Sequence, residues 1–541
     1  MVLPPVQQLD EVGIVVGESS PTSFVFSVHP QLSSKVPRWE FVVAPLEEGL
    51  VVAQVRGVAS YSTLLRKEVD YEVLSRLTQR FVEECKHWRQ AHVIAYVEQG
   101  EAEASSGYTR VRYSIPPGTK VYLAPNHMLS NIYSGPGKRI VVGCLTTRPD
   151  VEIGLSVSGF RRHLAIIAQT GAGKSYLAGV LMEELLEKGA TIIVLDPHAD
   201  YVRLSVETGE WPSELSRKVY VYRAARSEGR ILGARNIRPF SISLEDLRLQ
   251  ELFYITGIEE NFVRIRQVVS QVFKQLKQTS QLTIDMLVNE LEKISETTDK
   301  ALKDVKDSAA RAVNYIEKLK DLTILGGERF DVMEVLRPRT LSVIDLSGLS
   351  DREADLVAYL VLKDVFQVKM QPEENGFRFP VFVFIEEAHR FIPPPSAGET
   401  YSSGVIKKIA AEGRKFGVFL TLVTQRPSKV HQDVLSQCNS QIIMRITNPV
   451  DQTAVVESSE SLGHELMEDL PSLGRGEAVI VGEVVSIPAV VKVRKRRSAE
   501  GGADIDVERL LDESLKESEE MEKASQEWLR FKQKSEPQWS S

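Results

Sequence analysis

Apolar positions in the first part of the chain fall in short runs of strand type, at 14–16, 24–28, 41–43, 50–55, 93–97 and 120–123. Gly, Pro and Asn separate many of them, which predicts a small antiparallel β-barrel within residues 1–150. The stretch 68–90 has helical spacing instead and predicts a helical insertion between barrel strands. From about residue 151 the pattern changes, and apolar runs at 163–167, 191–195, 341–345, 381–385, 418–424 and 441–445 alternate with amphipathic segments. That alternation predicts an α/β fold over residues 151–497, a parallel sheet with helices on both faces. A helical insert at about 244–322, rich in Glu, Lys, Gln and Leu, interrupts it as either a lid or a packing subdomain. Residues 498–541 read as a linker and then an acidic helical tail carrying Leu510, Leu511, Leu515, Met521, Trp528 and Phe531. Those side chains bury against a neighbouring subunit or belong to a frayed end.

A chain of 541 residues is too long for one ordinary core, in keeping with two or three domains. No apolar run approaches the ~18 residues of a membrane span, and the residues after Met1 lack the regions of a signal peptide. A cytoplasmic protein without a membrane segment is the expectation. Cys85, Cys144 and Cys438 are far apart and lack metal-type spacing, which argues against a disulfide framework or a zinc site. The net charge of −8 argues against a uniformly basic nucleic-acid binder, but not against a basic channel inside an acidic shell.

The most informative residues lie between the strand ending at Ile167 and the helical stretch that begins at Tyr176. Ala168-Gln169-Thr170-Gly171-Ala172-Gly173-Lys174-Ser175 has the spacing of a phosphate-binding loop, with Ala168 where the usual pattern has Gly. Gly171 and Gly173 let backbone N–H groups turn inward around phosphate oxygens. Lys174 reaches the β- and γ-phosphates, and the Ser175 hydroxyl ligates Mg²⁺. The following helix aims its N-terminal dipole at the anion. Thr170, Gly171, Ala172, Gly173, Lys174, Ser175 and Tyr176 are therefore the expected nucleotide contacts, with ATP and Mg²⁺ as cofactors.

A second signal is the acid pair Glu386-Glu387 at the end of the run 381–385, where a parallel strand opens into the ligand crevice. Glu386 is expected to hold Mg²⁺ through water, and Glu387 to polarise the water that attacks the γ-phosphorus. Two other strands end in an acid. Asp345 reads as a turn carboxylate before Ser347-Gly348, and Asp196 as a residue near the nucleotide or a translocation loop. Gln425, at the tip of the run 418–424, is a candidate γ-phosphate sensor. Arg414 is a candidate for insertion into an adjacent subunit's nucleotide site, a surface arginine at a helix end being the alternative. The basic residues Arg223, Arg226, Arg230, Arg235 and Arg238 read as a loop suited to sequence-independent DNA-phosphate contacts, or as an ordinary solvated loop. The run 494–497 is an alternative contact or a soluble strand end.

Taken in order, the phosphate loop, Leu195-Asp196-Pro197-His198-Ala199-Asp200-Tyr201, Ile385-Glu386-Glu387-Ala388-His389-Arg390-Phe391, Glu412-Gly413-Arg414-Lys415-Phe416-Gly417 and Thr424-Gln425-Arg426-Pro427-Ser428 resemble the HerA family of DNA translocases. These are relatives of the FtsK branch of P-loop ATPases. The resemblance covers nearly the whole chain and implies a RecA-like core, a barrel of the ATP-synthase type that forms a ring collar, and a homohexamer. It implies an ATP-driven double-stranded DNA translocase or helicase that works with the NurA nuclease and the Mre/Rad break-processing complex in end resection. It also implies a second trans-acting arginine just before the phosphate-loop strand, where Arg161 and Arg162 stand, with Arg162 preferred. The chain has Glu386-Glu387 where the family often has Asp-Glu. A FtsK/VirB-type motor for protein or nucleoprotein, and a nucleotide-stabilised scaffold for DNA and nuclease, are the competing readings. The intact Lys174, Ser175 and Glu387 set argues against the scaffold.

Overall fold

The computed structural model describes residues 9–46, 49–62, 70, 72, 75, 85–98, 111–135, 137–229, 233–279, 282–296, 303–326, 331–372, 376–459, 464–501 and 507–535. Six strands close into an antiparallel barrel: β1 (Glu11–Ser19), β2 (Ser23–Val28), β3 (Phe41–Leu46), β4 (Gly49–Tyr61), β5 (Lys86–Glu98) and β6 (Lys120–Leu123), in the order β1-β2-β5-β4-β3-β6. Their inward positions, among them Val15, Phe24, Phe26, Val42, Val51 and Val121, form one buried cluster. Closure leaves no open sheet edge.

The segment 86–90, expected to end a helix, is the start of β5, where Gln90 faces Val25 of β2 and Gly57 of β4. Its polar run hides the strand pattern, and pairing on both sides decides the conformation. Glu72 and Ser75 are helical, while 63–69, 71, 73–74 and 76–84 lie outside the described residues.

The rest of the chain is organised around a twelve-stranded sheet. Its strands are β7 (Arg139–Leu145), β8 (Glu152–Ser156), β9 (Leu164–Ile167), β10 (Thr191–Asp196), β11 (Val219–Ala224), β12 (Ile237–Phe240), β13 (Leu341–Asp345), β14 (Val381–Ile385), β15 (Val418–Thr424), β16 (Ser440–Ile443), β17 (Glu477–Val481) and β18 (Ala489–Val493). The order is β12-β11-β13-β10-β14-β15-β9-β16-β17-β18-β7-β8, parallel from β12 to β16 and antiparallel beyond. Because β7 pairs with β18, the sheet begins before residue 150, the boundary read from the sequence.

Every residue of β9, β10, β13, β14 and β15 is buried, as strands covered on both faces require. Alternate side chains divide between two clusters. Ile166, Val194 and Phe384 pack on one face with Leu177, Leu181 and Leu185 of helix α1 (Lys174–Glu187). Ile167, Leu195 and Ile385 pack on the other with α6 (Asp351–Met370) and α7 (Ser403–Phe416). The helical insert packs against the core. Its helices α2 (Leu249–Thr256), α3 (Val263–Gln278), α4 (Ile284–Glu296) and α5 (Lys303–Glu317) sink Leu252, Val269, Leu287, Leu291 and Ala312 into that second cluster. Helix α8 (Val507–Ser535) exposes Leu511, Leu515, Met521 and Trp528.

Candidate active site

The loop 168–173 connects β9, in the middle of the sheet, to α1. Gly171 and Gly173 hold φ of +79° and +109°, which residues with a Cβ rarely adopt. The loop therefore opens directly into the helix N-terminus, and a cleft of about 620 Å³ lies over it. Gln169, Thr170, Gly171, Gly173 and Lys174 line that cleft together with Glu387 and Gln425.

Parallel register sets β14 beside β10 and β15, so the acid pair at the end of β14 faces the loop. Lys174 Nζ pairs with Glu386 Oε1 and lies 3.2 Å from Glu387 Oε1. Glu386 is fully buried and accepts the Tyr201 hydroxyl. Glu387 is 2% exposed and held at φ +49°, a strained backbone for a residue with a side chain. Gln425 Nε2 donates to Glu387 Oε1, Thr170 Oγ1 donates to Gln425 Oε1, and His389 Nδ1 sits 3.2 Å from Glu387 Oε2. Burial pushes the Glu387 carboxyl up, but His389, Lys174 and Gln425 outweigh it and draw it down to about 2. The carboxylate is charged at neutral pH and aimed by three neighbours.

The other strand-end acids have different tasks. Asp196 is fully buried and accepts the backbone N–H groups of Asp200 at 3.0 Å and Tyr201 at 2.9 Å. It folds the turn after β10 and does not line the cleft; Asp200 and His198 do. Asp345 accepts the N–H and hydroxyl of Ser347, as a turn carboxylate does, and pairs with Arg223 Nη1 at 2.7 Å.

That pairing corrects the basic-loop reading. Arg223 stands in β11, is 7% exposed and also donates to the carbonyl of Ser227, so its charge is taken up internally. Its place in a strand was masked because Tyr220, Tyr222 and Arg223 interrupt the apolar run. Arg226 caps the carbonyls of Lys320 and Leu325, and Arg238 of β12 stacks over Tyr220 at 4.3 Å. Arg235 is exposed, and Arg230 lies outside the described residues. The alternative contact at 494–497 is internal except for Lys495, which is exposed and pairs with Glu210 at 2.9 Å. Arg494 and Arg497 bond Glu183 and Glu184 of α1, and Arg496 is 5% exposed. The supposed linker is docked as well, with the Ser498 N–H donating to Glu183 Oε1 at 2.6 Å.

Arg162 and Arg414 come together at a second, polar concavity of about 280 Å³, lined also by Ser436, Gln437 and Asn439, and neither lines the nucleotide cleft. Both are exposed, with Arg162 Nε 3.1 Å from Glu483. Between them His163 is buried. Its Nδ1 accepts from the Leu420 N–H at 2.9 Å, which leaves Nε2–H to donate to the Ala410 carbonyl at 3.0 Å. Burial, with the nearby Arg414 charge, lowers this imidazole from 6.5 to about 4. The neutral ring is the native form, so its contribution to stability is complete above pH 6.5 and is lost as pH falls toward 4, about 3 kcal/mol in all. Urea unfolding at pH 7 and pH 4.5 checks this: the loss in midpoint is expected to be smaller in His163→Gln than in the parent.

A glycine loop at a helix N-terminus, a lysine between strand-end carboxylates and a polar residue on the neighbouring strand tip define a P-loop ATPase. The family model "Helicase HerA, central domain" matches residues 140–365. The chain is 32% identical over 545 residues to "DNA double-strand break repair helicase HerA" of Pyrococcus furiosus, an alignment covering 91% of this chain and 93% of the relative. It is 32% identical over 427 residues to the protein of the same name from Sulfurisphaera tokodaii, covering 75% and 79%. The chain belongs to the HerA helicase family.

Asp200, Tyr201 and His389 were not singled out as site residues from the sequence. Their only signal was membership of the segments 195–201 and 385–391, because their roles arise from how two turns aim them.

Proposed function

We propose that this protein is a homohexameric, ATP-driven translocase or helicase on double-stranded DNA, hydrolysing Mg·ATP at subunit interfaces and working with the NurA nuclease and the Mre/Rad complex in end resection. The observation that carries the proposal is the placement of the polar groups. Lys174, Glu387 and Gln425 converge on one cleft, while Arg162 and Arg414 share a different concavity, suited to a neighbour's nucleotide.

The donor set fits Mg²⁺. Ser175 Oγ lies 2.7 Å from Asp200 Oδ2 and 3.5 Å from Glu386 Oε1, an all-oxygen corner beside the phosphate loop. Among the described residues no group of three or more His, Cys, Asp or Glu can hold a metal. Mg²⁺ commonly takes most of its ligands from water and substrate phosphates. Ser175 would bind the ion directly and Glu386 through water; bound there, Mg²⁺ neutralises the charge that develops on the phosphoryl oxygens. Glu387 polarises the attacking water, and Gln425, bonded to both Glu387 and Thr170, serves as the γ-phosphate sensor. Lys174 moves its charge from the two carboxylates to the phosphates.

On the DNA side, Arg235, which is exposed, is the candidate for phosphate contacts. Among the described residues no helix is long and apolar enough to cross a membrane. ATP hydrolysis measured with and without linear duplex DNA at several salt concentrations tests the proposal. Stimulation that requires Lys174 and weakens as salt rises is expected. Turnover indifferent to DNA at every salt concentration would favour a motor for protein cargo.

A further inference from the structure

The turn after β10 brings an acid to the phosphate loop that no strand-end motif marks. Three features build it. Asp196, fully buried, collects the N–H groups of Asp200 and Tyr201 and so bends the chain sharply, with Ala199 at φ +60°. The bend sends the Tyr201 hydroxyl to Glu386 and the Asp200 carboxylate to the Ser175 hydroxyl, 2.7 Å away. From behind, Gly501 packs so closely that a Cβ there would come within 2.6 Å of the Ala199 carbonyl, and Arg203 Nη1 ties the neighbouring Glu500 carbonyl at 2.9 Å. The turn is clamped between the phosphate loop and the segment that follows the last strand.

A serine hydroxyl that ligates a cation must offer a lone pair to it, so its proton has to point elsewhere. In this protein the acceptor of that proton is Asp200. We propose that Asp200 is a positioning residue of the metal site: it takes the proton of the Ser175 hydroxyl and so fixes its rotamer with the oxygen lone pairs left for Mg²⁺. The inference rests on the nucleotide site described above. It adds an acid from the turn after β10 to the pair that follows β14, so that this turn responds to metal and nucleotide together. Tyr201 carries the same coupling to Glu386. Partners that orient metal ligands are typically worth about 10- to 100-fold in metal affinity.

The test compares the parent with Asp200→Asn, which keeps the side-chain volume, and with Asp200→Glu, which keeps the charge. Mn²⁺ binding in the presence of a non-hydrolysable ATP analogue is read by electron paramagnetic resonance, and affinity for a fluorescent ATP analogue is measured in EDTA. Asp200→Asn is expected to weaken Mn²⁺ binding about 10- to 100-fold while metal-free nucleotide affinity stays within about twofold. Asp200→Glu should recover part of the loss. Unchanged Mn²⁺ affinity, or an equal loss of nucleotide affinity with and without metal, would overturn the proposal. If the parent itself bound no nucleotide, the reading of the cleft would fail instead.

Discussion

Glu387→Gln is expected to bind ATP within a few-fold of the parent and to turn it over about 10²- to 10⁴-fold more slowly. Gln has the same shape, so the carbonyl oxygen at position 387 still accepts from Gln425 Nε2, and the strained backbone at φ +49° is untouched. What disappears is the negative charge that His389, Lys174 and Gln425 hold at neutral pH, and with it the group able to take a proton from water. Lys174 retains Glu386 as a partner, so the phosphate loop keeps its form. Steady-state ATPase rates and fluorescent-nucleotide binding, measured on the same preparation, separate the two effects. A turnover near the parent's would remove Glu387 from catalysis. An equal loss of binding and turnover would make it a structural group.

The second large effect is expected at Arg414. This side chain is exposed at the end of α7 and faces a concavity distinct from its own nucleotide cleft. Arg414→Ala is therefore expected to leave the subunit folded and its ATP affinity nearly unchanged, while ATPase falls about 10³- to 10⁵-fold, the range for loss of a guanidinium that stabilises phosphoryl-transfer charge. Thermal unfolding and nucleotide binding establish the first half of that expectation and turnover the second. A loss well under tenfold would leave Arg414 as a surface residue.

The two halves of the nucleotide site were unequally legible in the sequence. The phosphate loop and the carboxylate pair could be read because their backbone tasks admit few residue types. Positive φ asks for Gly171 and Gly173, and of the three core strands that close on an acid only β14 is followed by an adjacent pair. Asp196 stands at the turn beside the phosphate loop but does not face the cleft, and a turn-building carboxylate and a ligand-facing one look alike until backbone N–H groups are placed around them. It is Asp200, four residues on, that lines the cleft and accepts the Ser175 hydroxyl. Arg223 failed for the converse reason. A charge in a run of basic residues suggests solvent, and only the register of β11 against β13, which sets Arg223 opposite Asp345, shows that it is neutralised inside the sheet.

At the level of the fold, periodicity located the central parallel strands but not their neighbours. β11 and β12 carry tyrosines, arginines and a proline that blur an apolar run, and β5 begins with a polar stretch whose strand character comes from pairing on both sides. The docking of residues 494–501 onto α1 was also hidden, since a basic run followed by Gly and Ser reads as a linker. It is the carboxylates of Glu183 and Glu184, on a helix far away in sequence, that hold it.

The central claim, that ATP is hydrolysed where one subunit's cleft meets another's arginines, is tested most directly by mixing two inactive proteins. Lys174→Ala disables a subunit's own cleft, and Arg414→Ala disables what it offers its neighbour. Each variant alone should be nearly inactive. After dissociation and reassembly at equal amounts, about a quarter of the head-to-tail interfaces join an intact Lys174 to an intact Arg414. The account predicts that ATPase activity returns in the mixture to a comparable fraction of the parent's. A mixture that stays as inactive as its two components would contradict it.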